Sequence, residues 1–404
     1  MSNTLVTCNL IAKESLAILE NMLGFSKNVN TDFQDEFAGN QARGYSPGQT
    51  INIKKPPRYT YRAGNVAVPQ STVETTIPLT LSQGGVDLNF TGFQKTLSVQ
   101  QFEQKLTAGV AAIANEIDRQ GLDLARTAVF NTLNSTGALP TTTQGAVQVY
   151  TDANRRLDEM GAPRDNQRAF ILSPGLNGAS VYGLSGLFNN QATIGTQYQK
   201  GIMQNAIGFA NIALDQNVSV QTLGAGTASN ISGANQTGST ITVAATGGGT
   251  ITKGTTITLP GVFAVNPQNR SSTGVLMNFV ITADVASGAT SLPISPALVT
   301  SGAFQNVTAS PTNTTPFVIL GAASTAYNCN VAYHRDAFTL AVVPMYAPPG
   351  GKGVVDVAQM SHNGYTVKAT TFYDGMYDNF ITRLDVLYGW AATYPELATK
   401  YYSV

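Results

Sequence analysis

Charge is what this sequence has least of. Only 11% of its 404 residues are Asp, Glu, Lys or Arg, against roughly 25% in an ordinary soluble domain. A surface this poor in charge repels other copies weakly, which suits a chain that ends up packed against itself. The 23 basic and 23 acidic residues cancel, so the chain is not built to condense nucleic acid by its own charge. The first 49 residues hold Lys13, Lys27 and Arg43 against Glu14, Glu20, Asp32, Asp35 and Glu36. That is no basic arm for gathering a polyanion. Cys8 and Cys329 are the only cysteines, which excludes a disulfide framework. One bridge between them is possible but not indicated, and both read as buried free thiols of a reducing compartment. No apolar run approaches the roughly 18 residues of a membrane span. No basic-then-apolar segment opens the chain, so no export signal is expected.

Catalytic equipment is equally scarce. The two histidines are His334 and His362, and neither stands in a metal-ligand spacing. His334-Arg335-Asp336 matches the first three letters of the kinase catalytic loop. That loop needs an Asn five residues after its Asp, and position 341 is Ala. No Walker loop and no Gly-x-Ser-x-Gly elbow occurs, so the glycines at 224, 226 and 247–249 read as turns. No enzymatic role, catalytic residue, metal or cofactor is expected.

What is present is a 43% hydrophobic, globular composition and a sequence of distinct segments. Asn9–Leu23 has helical spacing, and 28–48 reads as an irregular arm. Thr50–Thr91 reads as a β-hairpin, with alternation at Ile51 and Ile53 and again from Val86, and a turn at Gly84-Gly85. Between its arms Lys54–Ser71 carries Lys54, Lys55, Arg58 and Arg62 with Tyr59 and Tyr61 and no acid. Such a loop suits single-stranded nucleic acid or the surface of a neighbouring subunit. Pro56-Pro57 makes it a stiff reaching arm and favours the second.

Ser98–Leu133 is the strongest local signal. Ser98 and Gln101 form a capping box, and Val99, Phe102, Leu106, Val110, Ile113, Ile117, Leu124 and Ala128 recur at helical spacing. Gly109 and Gly121 each cost such a helix about 1 kcal/mol relative to Ala. The spacing predicts a second helix over Gly145–Met160, stopped by Gly161 and Pro163, and a buried strand over Arg168–Ser173. From Val218 to Asn328 the only charges are Lys253, Arg270 and Asp284. Short β-type runs recur there between turn residues, which reads as a small all-β barrel or sandwich inserted into a host domain. Strands are expected again over Cys329–Val343, Val354–Phe372 and Arg383–Trp390, with a terminal turn at Pro395–Tyr401.

The order of these elements resembles the major capsid protein of tailed double-stranded DNA bacteriophages, with the Hong Kong ninety-seven-type fold, in the branch of the phage P-twenty-two coat protein. Three stretches carry the resemblance: Val331–Phe338, Arg383–Trp390 followed by Pro395-Glu396, and the β insertion before the first of them. The resemblance implies an α+β capsid fold with an N-terminal arm (1–49), an extended-loop hairpin (50–91) and a peripheral domain with a spine helix (92–144). An axial domain (145–217 and 329–365) would be interrupted by the insertion (218–328), and 366–404 would return to the peripheral domain. It implies hexamers and pentamers of the chain itself in an icosahedral head. Scaffolding, portal and decoration proteins would be its partners, with packaged double-stranded DNA at the inner surface and no membrane. Assembly would take place in the host bacterial cytoplasm. Lys54, Lys55, Arg58, Tyr59, Tyr61 and Arg62 would then contact a neighbouring subunit. The rival expectations are a phage tail-tube or tail-sheath protein and a surface β-domain adhesin.

Overall fold

The computed structural model describes residues 24–32, 49–61, 64, 65, 67, 69–72, 74–91, 99–184, 207–346, 354–362, 365–377 and 379–404, together with Lys13 and Ser15. Cys8, Arg62, the capping residue Ser98, most of the expected N-terminal helix and arm, and the Pro348–Gly351 loop lie outside them. The fold is mixed α+β. It divides into two compact units, one from Met1–Ile53, Ile77–Gly121 and Phe338–Ala391, the other from Lys54–Thr76, Leu122–Ala337 and Ala392–Val404.

The hairpin expected over 50–91 forms differently. Strand β1 (Thr50–Lys55) pairs with β2 (Thr75–Thr80), and the chain breaks at Leu81 before β3 (Ser82–Thr91). Ile51 and Ile53 are buried with Leu79 and Leu81, as their alternation requires. Gly84-Gly85 makes no turn. Both glycines lie inside β3, opposite Val386 and Asp385. A Cβ at Gly85 would fall onto the Leu384 carbonyl oxygen, so glycine serves close backbone approach there.

Helix α1 spans Val99–Ala128, about 45 Å at 1.5 Å per residue. It stops five residues earlier than the spacing predicts. Thr132–Leu133 forms a short strand, β4, whose pairing takes the chain out of the helix. The sequence carries no Gly or Pro there to announce the stop. Gly121 is explained by packing: a Cβ would lie 2.7 Å from the rings of both Phe25 and Trp390. Helix α2 (Thr143–Glu159) is capped by Thr142, whose hydroxyl accepts from the Gly145 N–H, and ends at Gly161 with φ of 79°.

In the second unit β5 (Arg168–Leu172), buried throughout, leads into α3 (Pro174–Leu184) and then β6 (Asn211–Leu214) and β7 (Val220–Thr222). Five strands follow: β8 (Gly238–Thr242), β9 (Thr256–Val265), β10 (Ser272–Ile281), β11 (Ser291–Leu298) and β12 (Val318–Ile319). They form one sheet in the order β12-β9-β10-β11-β8. The edges of the charge-poor segment belong to a different sheet. β7 pairs with β13 (Ala326–His334), which also pairs with β5. The β-segment core takes in Phe130 and Met160 from outside it, so 218–328 shares its unit with the flanking chain.

The last strands divide between the units. β14 (Thr339–Val343), β15 (Val354–His362), β16 (Tyr365–Asp374) and β17 (Asn379–Ala391) form one sheet with β3. β17 offers one edge to β3 and the other to β16 and then β14. The expected terminal turn is a 3-10 turn, Pro395–Leu397, followed by strand β18 (Ala398–Ser403). β18 lies between β13 and β4, so residues 392–404 belong with β13 rather than with 366–391.

A carboxylate fastens the start of the described chain in the first unit. Asp118, buried on α1, accepts from the main-chain N–H groups of Gly24, Phe25 and Ser26 and from the Ser26 hydroxyl. Burial pushes its carboxyl up, against the pull of those four donors. Phe25 then packs on Phe338 and Trp390 with centroids 5.5 Å away in each case.

Candidate assembly interface

The loop between β1 and β2 is held by its own side chains beyond the last strand pair. Gln70 Oε1 accepts from the Thr60 N–H (2.8 Å) and hydroxyl (2.9 Å), and Gln70 Nε2 donates to the Thr60 carbonyl (2.7 Å). The Tyr59 hydroxyl lies 3.0 Å from Thr72 Oγ1. With Pro56-Pro57 limiting backbone freedom, these ties keep the two arms of the loop together.

Three of its cations, Lys54, Lys55 and Arg58, are engaged within the chain. Lys54 pairs with Glu74 at 2.9 Å, both side chains exposed. Lys55 Nζ sits 5.1 Å from the centroid of the Tyr394 ring. Arg58 lies 5.9 Å from the centroid of Phe304 and 3.5 Å from Glu396 Oε1. Exposed pairs of this kind contribute little energy, but they aim the side chains. The tyrosines face outward: Tyr59 is 53% and Tyr61 93% exposed. A cleft of about 290 Å³ is lined by Lys55 and Arg58 of this segment together with Phe130, Met160, Met277 and Phe304.

The chemical residues elsewhere are structural. His334 is buried at the end of β13; its Nδ1 accepts from the Asp336 N–H, and its Nε2 donates to Asp165 at 3.1 Å. Among the described residues, no group of three or more His, Cys, Asp or Glu could hold a metal ion. No helix among them is long and apolar enough to cross a membrane. Cys329 is buried, and burial pushes its thiol up to about 11, far from the reactive thiolate range. Lys400 is wholly buried; its Nζ donates to the carbonyls of Arg126 (3.0 Å) and Gly254 (3.2 Å), and burial brings it down to about 8.

A loop held together by its own side chains and exposing Tyr59 and Tyr61 suits contact with another chain. The family model for the P22 coat protein - gene protein 5 matches residues 90–400. The chain belongs to this coat protein family. It is a major capsid protein, a subunit of the phage head shell, and copies of it associate into capsomers. A structural role follows from that membership. Solved structures similar to this coat protein include Mycobacterium phage Che8, with 11% identity, a TM-score of 0.48, and coverage of 94% of this chain and 90% of that one. Another is the capsid structure of the cyanophage P-SCSP1u, at 10% identity and a TM-score of 0.43, covering 89% and 84%. The mature capsid of bacteriophage PhiM1 matches at 10% identity and a TM-score of 0.43, covering 88% and 82%. A search of curated proteins finds no match.

Of the coat protein's six expected contact residues, Lys54 and Lys55 end strand β1, Arg58, Tyr59 and Tyr61 follow in the loop, and Arg62 lies outside the described residues. The sequence reading missed their cis partners Glu396, Tyr394, Phe304 and Arg270. These stand more than 200 residues away in the chain, and no local pattern connects them to the loop.

Proposed function

We propose that this coat protein assembles as hexamers and pentamers into an icosahedral head of the Hong Kong ninety-seven type, around packaged double-stranded DNA. In this reading the segment Lys54–Ser71 lies over an adjacent subunit, α1 is the spine of a peripheral domain, and α2 with the sheet that holds β5 and β13 belongs to an axial domain. The β8–β12 sheet is the core of an inserted domain. The chain works by packing and not by catalysis, on a scaffolding protein in the host bacterial cytoplasm, with portal and decoration proteins as further partners. One chain in two ring sizes needs contacts that tolerate similar but unequal angles. Low surface charge supports that.

The observation that carries the reading is the loop itself: two arms tied together by Thr60 and Gln70, projecting side chains that the subunit's own core does not bury. Charge reversal at Lys55 and Arg58 together is expected to leave folded monomers, by circular dichroism, that fail to close shells under electron microscopy. Normal heads from that double variant would contradict the reading.

A further inference from the structure

The segment 218–328 is nearly free of charge, yet one of its three charged residues reaches the loop. Arg270 sits in the turn between β9 and β10, and its Nη2 donates to the Tyr59 carbonyl at 3.0 Å and to the Ala303 carbonyl at 3.3 Å. The turn presents it through a left-handed backbone, with φ of 60°, and the Arg270 N–H is tied to the Asn266 carbonyl at 2.8 Å. A non-glycine residue in that conformation is uncommon. The guanidinium therefore occupies a position where the backbone alone would favour Gly or Asn.

Together with Arg58 beside Glu396 and Phe304, and Lys55 over Tyr394, Arg270 closes a set of cis contacts on the base of the loop. We infer that Arg270 is a latch that fastens the loop to its own subunit, so that the surface offered to the neighbouring copy is the tyrosine edge, Tyr59 and Tyr61, and not Lys55 and Arg58. This rests on the reading that the loop lies on an adjacent subunit, and it divides the labour among the residues of that loop. Lys55 and Arg58 act inside the subunit and set the trajectory. Tyr61 makes the contact. Tyrosine is suited to that job: a large, rigid, amphipathic side chain contributes area with little conformational entropy to lose.

The latch is tested on monomers, without assembly. Tryptic cleavage of the Arg58–Tyr59 bond requires the local chain to peel off the surface that holds it. Arg270→Gly removes the guanidinium and suits the left-handed backbone, so it separates loss of the latch from loss of the fold. The expected result is cleavage after Arg58 about tenfold faster in Arg270→Gly than in the unaltered chain, with the thermal midpoint within a few degrees. Equal cleavage rates would overturn the latch. Should Arg270→Gly lower the midpoint sharply, Arg270→Asn, which also tolerates this backbone, is read in the same way. The contact is tested separately with Tyr61→Ser. Unchanged cleavage in the monomer with loss of closed shells supports the tyrosine edge, and normal shells refute it. Failure of the Tyr61 arm with a working latch would count against the loop reading, while failure of the trypsin arm would count against the latch alone.

Discussion

Lys400 shows how far burial can set a side chain's chemistry. It lies in β18, and its ammonium meets the two main-chain oxygens of Arg126 and Gly254. Removal from water disfavours its charged form and brings it down to about 8, from 10.5 in the unfolded chain. Between those two values the unfolded chain binds more protons than the folded one, so stability rises with pH across that window. Below pH 8 both states are protonated and the cost of burying the charge is constant. Lys400→Met removes the titration and keeps most of the volume. Comparing unfolding free energies of the two proteins should show the unaltered chain gaining roughly 2–3 kcal/mol on the variant between pH 8 and 10. A difference that does not change with pH would mean that Lys400 keeps its charge in the folded state. The sequence gives no sign of this site, because Lys400 stands among Thr399, Tyr401 and Tyr402 in what reads as a polar terminal turn.

At the scale of elements, local patterns were legible where one face repeats. The spacing of Val110, Ile113 and Ile117 locates α1, Gly161 and Pro163 mark the end of α2 while its start at Thr143 and the Thr142 cap were not read, and Arg168–Ser173 reads as the buried strand that forms over Arg168–Leu172. Local reading failed where pairing is long-range. Gly84-Gly85 has turn composition, but its partner Asp385 lies 300 residues on and requires strand geometry. β18 reads as a turn because its neighbours β13 and β4 are far away in sequence. Gly121 shows the same competition inside a helix. Propensity alone would have Ala gain about 1 kcal/mol there. The added Cβ would press on the Phe25 and Trp390 rings at 2.7 Å, and overpacking of this kind costs typically 1–3 kcal/mol. Gly121→Ala is expected to destabilise by about 1 kcal/mol or more in urea unfolding. A stabilised variant would show that Phe25 yields readily and that its anchoring through Asp118 is loose.

For the whole molecule, composition and element order were more informative than any motif. Few charges suited a chain packed against its own copies, the order of elements carried the resemblance to a capsid subunit, and the family match over residues 90–400 agrees. The loop's candidate contacts were legible as a cluster of cations and tyrosines. Their division into cis and outward-facing groups was not, since it depends on Glu396, Tyr394, Phe304 and Arg270, which only folding brings near. The central claim is that this chain closes into shells through contacts between its own copies. Electron microscopy of the purified chain, expressed alone and with a scaffolding protein, tests it most directly. The account predicts closed icosahedral shells with scaffold, or tubes and spirals without it. Monomers that persist under both conditions would contradict it.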